Sequence, residues 1–516
     1  MKKSQFSLAL ILLLSTTLSP GKGLPSSAKD PLKGLDAYVL KAMKDWDLPG
    51  LAVAVVKDDK VVLAKGYGVK EIGKSDPVNE NTLFAIGSNS KAFTATALAL
   101  LVQDKKLSWD DHVINHLQGF QLFDPYVTRE LMVRDLLSHR SGLGRRGDAL
   151  WYGQDYGRDE ILRRIRFLKP DSSFRSQFGY QNIMVLAAGQ IIPSVMNVTW
   201  DEFIKERLFK PLGMIRSNTS TKDLQGIDNI ATPHTKKDGK VVAIPYRNID
   251  NIAPAGAINS SVIEMANWHR FQLGNGKFGG KQILDPAILQ VTHDPHIVIP
   301  VSPDEKKDFP STHFVAYGLG WALQDYRGRL IIWHNGGIDG MLSHQGFLPE
   351  ENLGIVVLTN SDSSGLDAAL FYRIVDMFLG DPIKDWSGAF LKQAKESEAK
   401  AEEAKEAAKS SRVLNTKPSL ETGAYCGKYE NEMYGRAEVK SEAGKLILYF
   451  NSKPAGTLEH WHYDIFRISD KAVEPLHFSG LLNDAFVRFT LNVQAKVSAL
   501  EIVDLAIFDR SPEPQK

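Results

Sequence analysis

Apolar residues at Leu35, Val39, Met43 and Trp46 recur at helical spacing and predict a helix. Residues 51–57 and 61–67 are β-rich runs about the turn Asp58-Asp59-Lys60, the pattern of a hairpin. The Ala/Leu-rich run from Lys91 to Leu101 predicts a buried helix, and 182–192 and 200–208 read as two more. The second of these is closed by Lys210-Pro211-Leu212-Gly213. Strand-like runs return at 330–333, 343–348 and 353–359, before a last helix at 368–379. The order is two strands, many helices, three strands and a helix. Strands from both ends of this segment must then share one antiparallel sheet, with helices packed beside it.

The texture changes afterwards. Residues 392–411 are almost entirely Ala, Glu, Lys, Gln and Ser, which supports a helix by propensity but leaves no face to bury. This stretch reads as a linker or solvated spacer helix. Beyond Pro418 the pattern is all-β: short runs at 437–439, 446–450, 464–468, 486–491 and 497–503 are separated by turn residues, as in a small barrel or sandwich. The divisions are therefore 1–28, 29–384, 385–414 and 415–512. The first is a cleavable secretory leader: Lys2 and Lys3, an apolar stretch over 6–18, then small Ser26 and Ala28 before a cut at Lys29. An uncleaved anchor is the alternative. No later segment is long enough to span a membrane, so the expected location is periplasmic or secreted.

Of 516 residues, 43% are hydrophobic, which supports a sizeable core. The formal net charge of +1 argues against a nucleic-acid partner, which calls for a basic excess. The single cysteine, Cys426, cannot form an internal disulfide. No metal-ligand spacing and no phosphate-cradling Gly-rich loop is present, so no cofactor or metal is expected.

Chemistry concentrates at Phe84-Ala85-Ile86-Gly87-Ser88-Asn89-Ser90-Lys91. Gly87 breaks the preceding segment and places Ser88 at a helix N-terminus, where unpaired N–H groups favour a developing negative charge. Lys91 follows three residues later, so one turn puts its amine on the face of the Ser88 hydroxyl. An amine desolvated against an apolar helix has a lowered pKa and can take the serine proton. Ser26-Ser27-Ala28-Lys29 has the same spacing, and a core helix with a Ser cap and a solvated lysine is the plain alternative at 84–101.

Other residues extend the pattern. Tyr180-Gln181-Asn182 opens a helix, unlike the Tyr-x-Asn tripeptides beginning at Tyr246, Tyr429 and Tyr449. His334-Asn335-Gly336-Gly337 ends a β-rich run, whereas His344-Gln345-Gly346 lies within one. Glycines after a strand-borne histidine let backbone approach a ligand closely.

Taken in order, these stretches resemble the serine β-lactamase and penicillin-binding protein-like family of class C β-lactamases, D-alanyl peptidases and related esterases. The likeness covers roughly residues 30–380 and includes Val133-Arg134-Asp135-Leu136-Leu137-Ser138-His139-Arg140-Ser141-Gly142-Leu143. It continues through Phe209-Lys210-Pro211-Leu212-Gly213-Met214, Pro254-Ala255-Gly256 and Tyr317-Gly318-Leu319-Gly320-Trp321. The C-terminal part is similar to the lipocalin-like domain appended to such hydrolases. Its marks are Tyr425-Cys426-Gly427-Lys428-Tyr429, Tyr434-Gly435 and the run 458–466. Within that run His460 and His462 share a face if it is a strand, though no third metal ligand accompanies them.

The resemblance implies an α+β fold, a β-lactamase/transpeptidase-like antiparallel sheet flanked by helices, plus a small all-β lipocalin-like domain. It implies Ser88 as acylated nucleophile, Lys91 as activating amine and Tyr180 as proton relay. Asn182 would hydrogen-bond Lys91 or the substrate amide, and His334, Asn335, Gly336 and Gly337 would form the substrate strand. The N–H groups of Ser88 and Gly337 would hold the oxyanion. Whether Lys91 or Tyr180 takes the first proton is left open by the residues alone. The implied activity is serine hydrolysis of small peptides, amides or esters through an acyl-enzyme. A penicillin- or cell-wall-fragment-binding protein with little turnover, and an acyltransferase, are the alternatives. The sequence departs from class C β-lactamases at His334, where those carry lysine. A mostly neutral imidazole replaces a permanent cation, which predicts weak or absent β-lactam hydrolysis.

Overall fold

The computed structural model describes residues 30–469, 482 and 484–512. The leader assigned to 1–28 lies outside them. The central sheet has eight strands in the order Lys60–Gly68, Gly50–Lys57, Leu353–Thr359, Met341–Leu348, Arg329–Ile338, Ala322–Tyr326, Val315–Tyr317 and Ile297–Ile299. Every neighbouring pair is antiparallel, and the first and last thirds of the segment meet where Leu51 pairs with Thr359. Five of these strands are legible in the hydrophobic pattern. The other three, which extend the sheet on one side, are only three to five residues long and carry too little alternation to register.

Strands Gly50–Lys57 and Leu353–Thr359 are buried on both faces, which is why they read as continuous apolar runs. In Gly50–Lys57, Leu51, Val53 and Val55 face one core, while Ala52, Ala54 and Val56 face another. The first core lies under the helices Leu35–Asp45 and Leu366–Leu379. The second holds the helices Ser90–Gln103, Asn182–Met196 and Val262–Leu273. The expected 200–208 helix is α-helical only over Trp200–Ile204 and widens to a π-turn over Lys205–Phe209 before Pro211.

Helix Trp386–Ser410 buries Trp386 and Ser387 at its start and is solvated along most of its remaining length. It leads to a closed barrel of eight antiparallel strands running from Gly427–Asn431 to Ala506–Arg510, which pair to close it. In its strand Lys453–His462 the register shifts between His460 and His462. His460 Nε2 bonds the Tyr463 carbonyl, and His462 Nδ1 accepts from Val413 N–H. Each imidazole thus has its own partner. No group of three His, Cys, Asp or Glu side chains that could hold a metal occurs among the described residues. None of the described helices is by itself long and apolar enough to cross a membrane.

Candidate active site

Ser88 lies in a single 3-10 turn, Gly87–Asn89, that runs directly into helix Ser90–Gln103. Gly87 has φ +50°, a conformation that favours glycine, and a Cβ there would stand 2.7 Å from Gly337 N. A Cβ on Gly336 would meet the Ile86 carbonyl oxygen at 2.0 Å. The glycines of both motifs therefore serve one purpose: the serine turn lies flat against strand Arg329–Ile338. Ser343 Oγ clamps the junction, donating to Ile86 O at 2.8 Å and accepting from Asn89 Nδ2 at 2.7 Å.

The Lys91 side chain is fully buried, with Nζ 2.9 Å from Ser88 Oγ and donating to Ala255 O at 2.8 Å. Ala255 belongs to Pro254-Ala255-Gly256, a stretch whose sequence gave no hint of this contact. Burial drives the Lys91 amine well below the ordinary lysine range; Asp148 opposes the shift and Arg145 adds to it. Tyr180 donates to Ser88 Oγ at 2.7 Å. Burial raises its phenol, against the lowering effects of its bond to Ser88 and of Arg145. At neutral pH the phenol keeps its proton.

Tyr180 is placed by the loops of the Val133–Leu143 motif. Buried Asp135 bonds Arg140 at 2.6 Å and Arg175 at 2.7 Å, tying together the segments that carry His139 and Tyr180. The His139 ring lies 4.3 Å from that of Tyr180, and its Nδ1 accepts from Gln181 N–H. That motif is thus a brace for the phenol.

Asn182 does not meet Lys91, the first of its two expected partners, though it lines the pocket where a substrate amide would lie. Its amide donates to Asp148 Oδ1 at 3.0 Å, while the bonds of Lys91 go to Ser88 and Ala255. Asp148 also accepts from Trp151 Nε1, and its burial raises its pKa. His334 is likewise displaced from its expected role. Tyr317 O–H donates to its Nε2 at 2.8 Å, and its Nδ1 faces the Asn335 carbonyl, which only accepts. With both nitrogens occupied and the side chain 3% exposed, burial first and Lys91 second lower its pKa to about 3. It is a neutral strut between the strand and Tyr317.

The pocket over Ser88 encloses about 600 Å³ and is lined by Ser88, Tyr180, Asn182, Asn335 and Gly337 among others, with neither His334 nor Gly336 on its wall. Part of the wall comes from Arg145, Asp148, Trp151 and Tyr152, four residues absent from the sequence-based site. The Arg145 guanidinium lies 4.7 Å over the Tyr180 ring, and no acidic side chain among the described residues forms an ion pair with it. The only signal for these four was their position just past the glycine-punctuated loop at 141–144. Serine, amine and phenol are thus assembled for proton exchange at one hydroxyl, in a pocket that also presents the Arg145 guanidinium, with the Asp148 carboxyl on the same wall.

The beta-lactamase family model matches residues 35–376. The chain belongs to the beta-lactamase family. The family region ends near the spacer helix, and a second model, for a domain of unknown function, matches residues 411–515, the barrel. Relatives of this beta-lactamase family chain include the unguisins hydrolase ungD′ of Aspergillus campestris, 29% identical over 460 residues, covering 83% of this chain and 81% of the relative. Among solved structures, the octameric penicillin-binding protein homologue from Pyrococcus abyssi aligns over 93% of this chain and all of its own, at 21% identity and TM-score 0.62. A D-stereospecific amidohydrolase from Streptomyces sp. aligns over 66% of this chain and 97% of its own, at 19% identity and TM-score 0.54. At these identities the two structures attest the fold alone.

Proposed function

We propose that this protein is a serine hydrolase that cleaves small peptides, amides or esters through an acyl-enzyme. The observation that carries the proposal is the double contact at Ser88 Oγ, with the Lys91 amine at 2.9 Å and the Tyr180 phenol at 2.7 Å. The opposite pKa shifts support a division of roles. A buried amine held well below its usual range is the base for the Ser88 proton, and a phenol that keeps its proton is the donor. As Oγ bonds to the acyl carbon, its proton passes to Lys91 and the carbonyl oxygen turns towards the N–H groups of Ser88 and Gly337. Tyr180 protonates the departing amine or alcohol and is reprotonated from Lys91. Water then attacks the ester by the same route in reverse.

A hydrolase relative supports hydrolysis as the reaction. With His334 neutral, the strand residues on the pocket wall, Asn335, Gly337 and Ile338, carry no cation, so Arg145 is the group in the pocket that meets an anionic substituent. Slow nitrocefin turnover is expected for that reason. The test is a hydrolysis screen of D- and L-aminoacyl anilides, short-chain esters and nitrocefin, with a fluorophosphonate label. Ser88→Ala abolishes labelling and turnover; labelling that persists overturns the assignment. Labelling without turnover marks the acylated binding protein instead, and product transfer to an added alcohol or amine marks an acyltransferase.

A further inference from the structure

Segment 145–157 has two faces. Its inner side chains, Arg145, Asp148, Trp151 and Tyr152, line the pocket. Its outer groups meet two turns of the barrel. Tyr434 O–H donates to Arg146 O at 3.1 Å, and Tyr156 O–H donates to Tyr434 O at 3.3 Å. Asn451 Nδ2 donates to Gln154 Oε1 at 2.9 Å. Lys453 Nζ donates to Gly153 O at 3.0 Å and pairs with Asp155 at 2.6 Å. Just beyond, Arg164 donates to the carbonyls of Glu432 and Met433. The fit is close: Gly435 has φ +92°, and a Cβ on it would stand 2.2 Å from the Tyr156 hydroxyl. The Tyr434-Gly435 pair, one mark of the barrel in the sequence, is therefore its docking point.

We propose that the barrel is a positioning element for the substrate pocket, holding the wall that carries Arg145, Trp151 and Tyr152 at its working distance from Ser88. Besides the barrel contacts, Asn182 bonded to Asp148, Asn251 bonded to the Trp151 and Gln154 carbonyls and Asp339 bonded to Tyr152 help to hold the segment. Its only regular element is a 3-10 stretch, Arg145–Leu150, a helix type with poor hydrogen-bond geometry that rarely extends so far. The turn that follows has backbone acceptors at Gly153 and Arg146 that are met by barrel side chains. The Ser88–Lys91–Tyr180 cluster, by contrast, is anchored on the sheet and the helices Ser90–Gln103 and Asn182–Met196, with no barrel residue in contact among the described residues. The barrel therefore acts chiefly on how substrates are bound and reaches the serine chemistry only through Arg145 and Asp148, which bear on Lys91 and Tyr180.

The inference rests on the reading of Ser88 as nucleophile, and the experiment separates the two. In the full-length protein, Tyr434→Phe, Asn451→Ala and Lys453→Ala are combined and compared with Lys453→Arg alone. The rate of Ser88 labelling by a small methyl fluorophosphonate stays within about twofold. KM for the anilide or ester best hydrolysed rises about fivefold or more, with kcat changed less. Lys453→Arg retains the original KM. Hydrogen exchange of amides 145–157 quickens in the triple variant, a readout that holds even if its melting temperature falls. Unchanged KM and unchanged exchange overturn the proposal, as does an equal loss of labelling and turnover in a variant that melts normally. Failure of the unsubstituted protein to label at all refutes the nucleophile reading instead.

Discussion

Lys91 and Tyr180 differ from their free counterparts in opposite senses for one reason. Burial disfavours whichever form is charged, so the amine loses its proton and the phenol keeps one. The pH dependence follows. The base is active when deprotonated, so acylation is lost as pH falls through the lowered pKa of Lys91, far below where a free lysine would titrate. The alkaline limb comes only when Tyr180 ionises, above the usual phenol range. Pre-steady-state labelling rates against pH should show a plateau that begins well below the ordinary lysine range, and Lys91→Met should lower it by about 10²–10⁴-fold, the usual worth of a positioned base. A plateau unchanged in Lys91→Met would transfer the role to Tyr180. The serine, amine and phenol were legible in the sequence because helical spacing and helix-opening context fix where side chains go. The Asp148 acceptor of Asn182 was not, since a hydrogen bond between a loop and a helix start leaves no periodic trace.

Whole elements explain why the glycines matter. Strand Arg329–Ile338 runs without break through His334-Asn335-Gly336-Gly337, so the motif lies inside the strand rather than after it. The sequence suggested an ending because glycines dilute a β pattern. Their reason is the serine turn pressed against them. A methyl group at Gly336 would have to displace the Ile86 carbonyl, which is backbone and is held by Ser343. Gly336→Ala should therefore cost about 1–3 kcal/mol of stability. It should also lower kcat by about 10²-fold through misplacement of Ser88, with KM less affected. Kinetics and denaturant melts on the same preparation would check both. Equal kcat would mean that the turn can shift without disturbing Oγ. The same logic accounts for the strands that escaped notice. Short segments such as Val315–Tyr317 are held by partners on both sides, and their identity is a property of the sheet.

At the scale of the molecule, the two cores make the protein sensitive to acid. His269, His293, His334 and His344 are all buried, with burial lowering them to about 4, 3, 3 and 3. In the unfolded chain each titrates near 6.5, so between about pH 6.5 and these values the unfolded state binds more protons and stability falls with falling pH. At pH 5.5 each site removes about 1.4 kcal/mol, and the four together remove on the order of 5 kcal/mol, comparable to the whole stability of many domains. Asp367 acts with the opposite sign, because burial raises it to about 6 and protonation relieves that cost on acidification. Its relief over the same interval is about 1 kcal/mol or less, too small to reverse the trend. His344 isolates the effect. Both of its ring nitrogens are buried without a hydrogen-bond partner, and the ring lies against Trp333 and Phe371, away from the pocket. His344→Phe removes one proton-binding group from the unfolded state and keeps an aromatic ring in place. Denaturant melts of the unsubstituted protein should lose stability steeply from pH 7.5 to 5.5, and His344→Phe should lose about 1.4 kcal/mol less over that interval. Equal losses would mean that the His344 ring takes up a proton inside the fold, against the burial that defines its site.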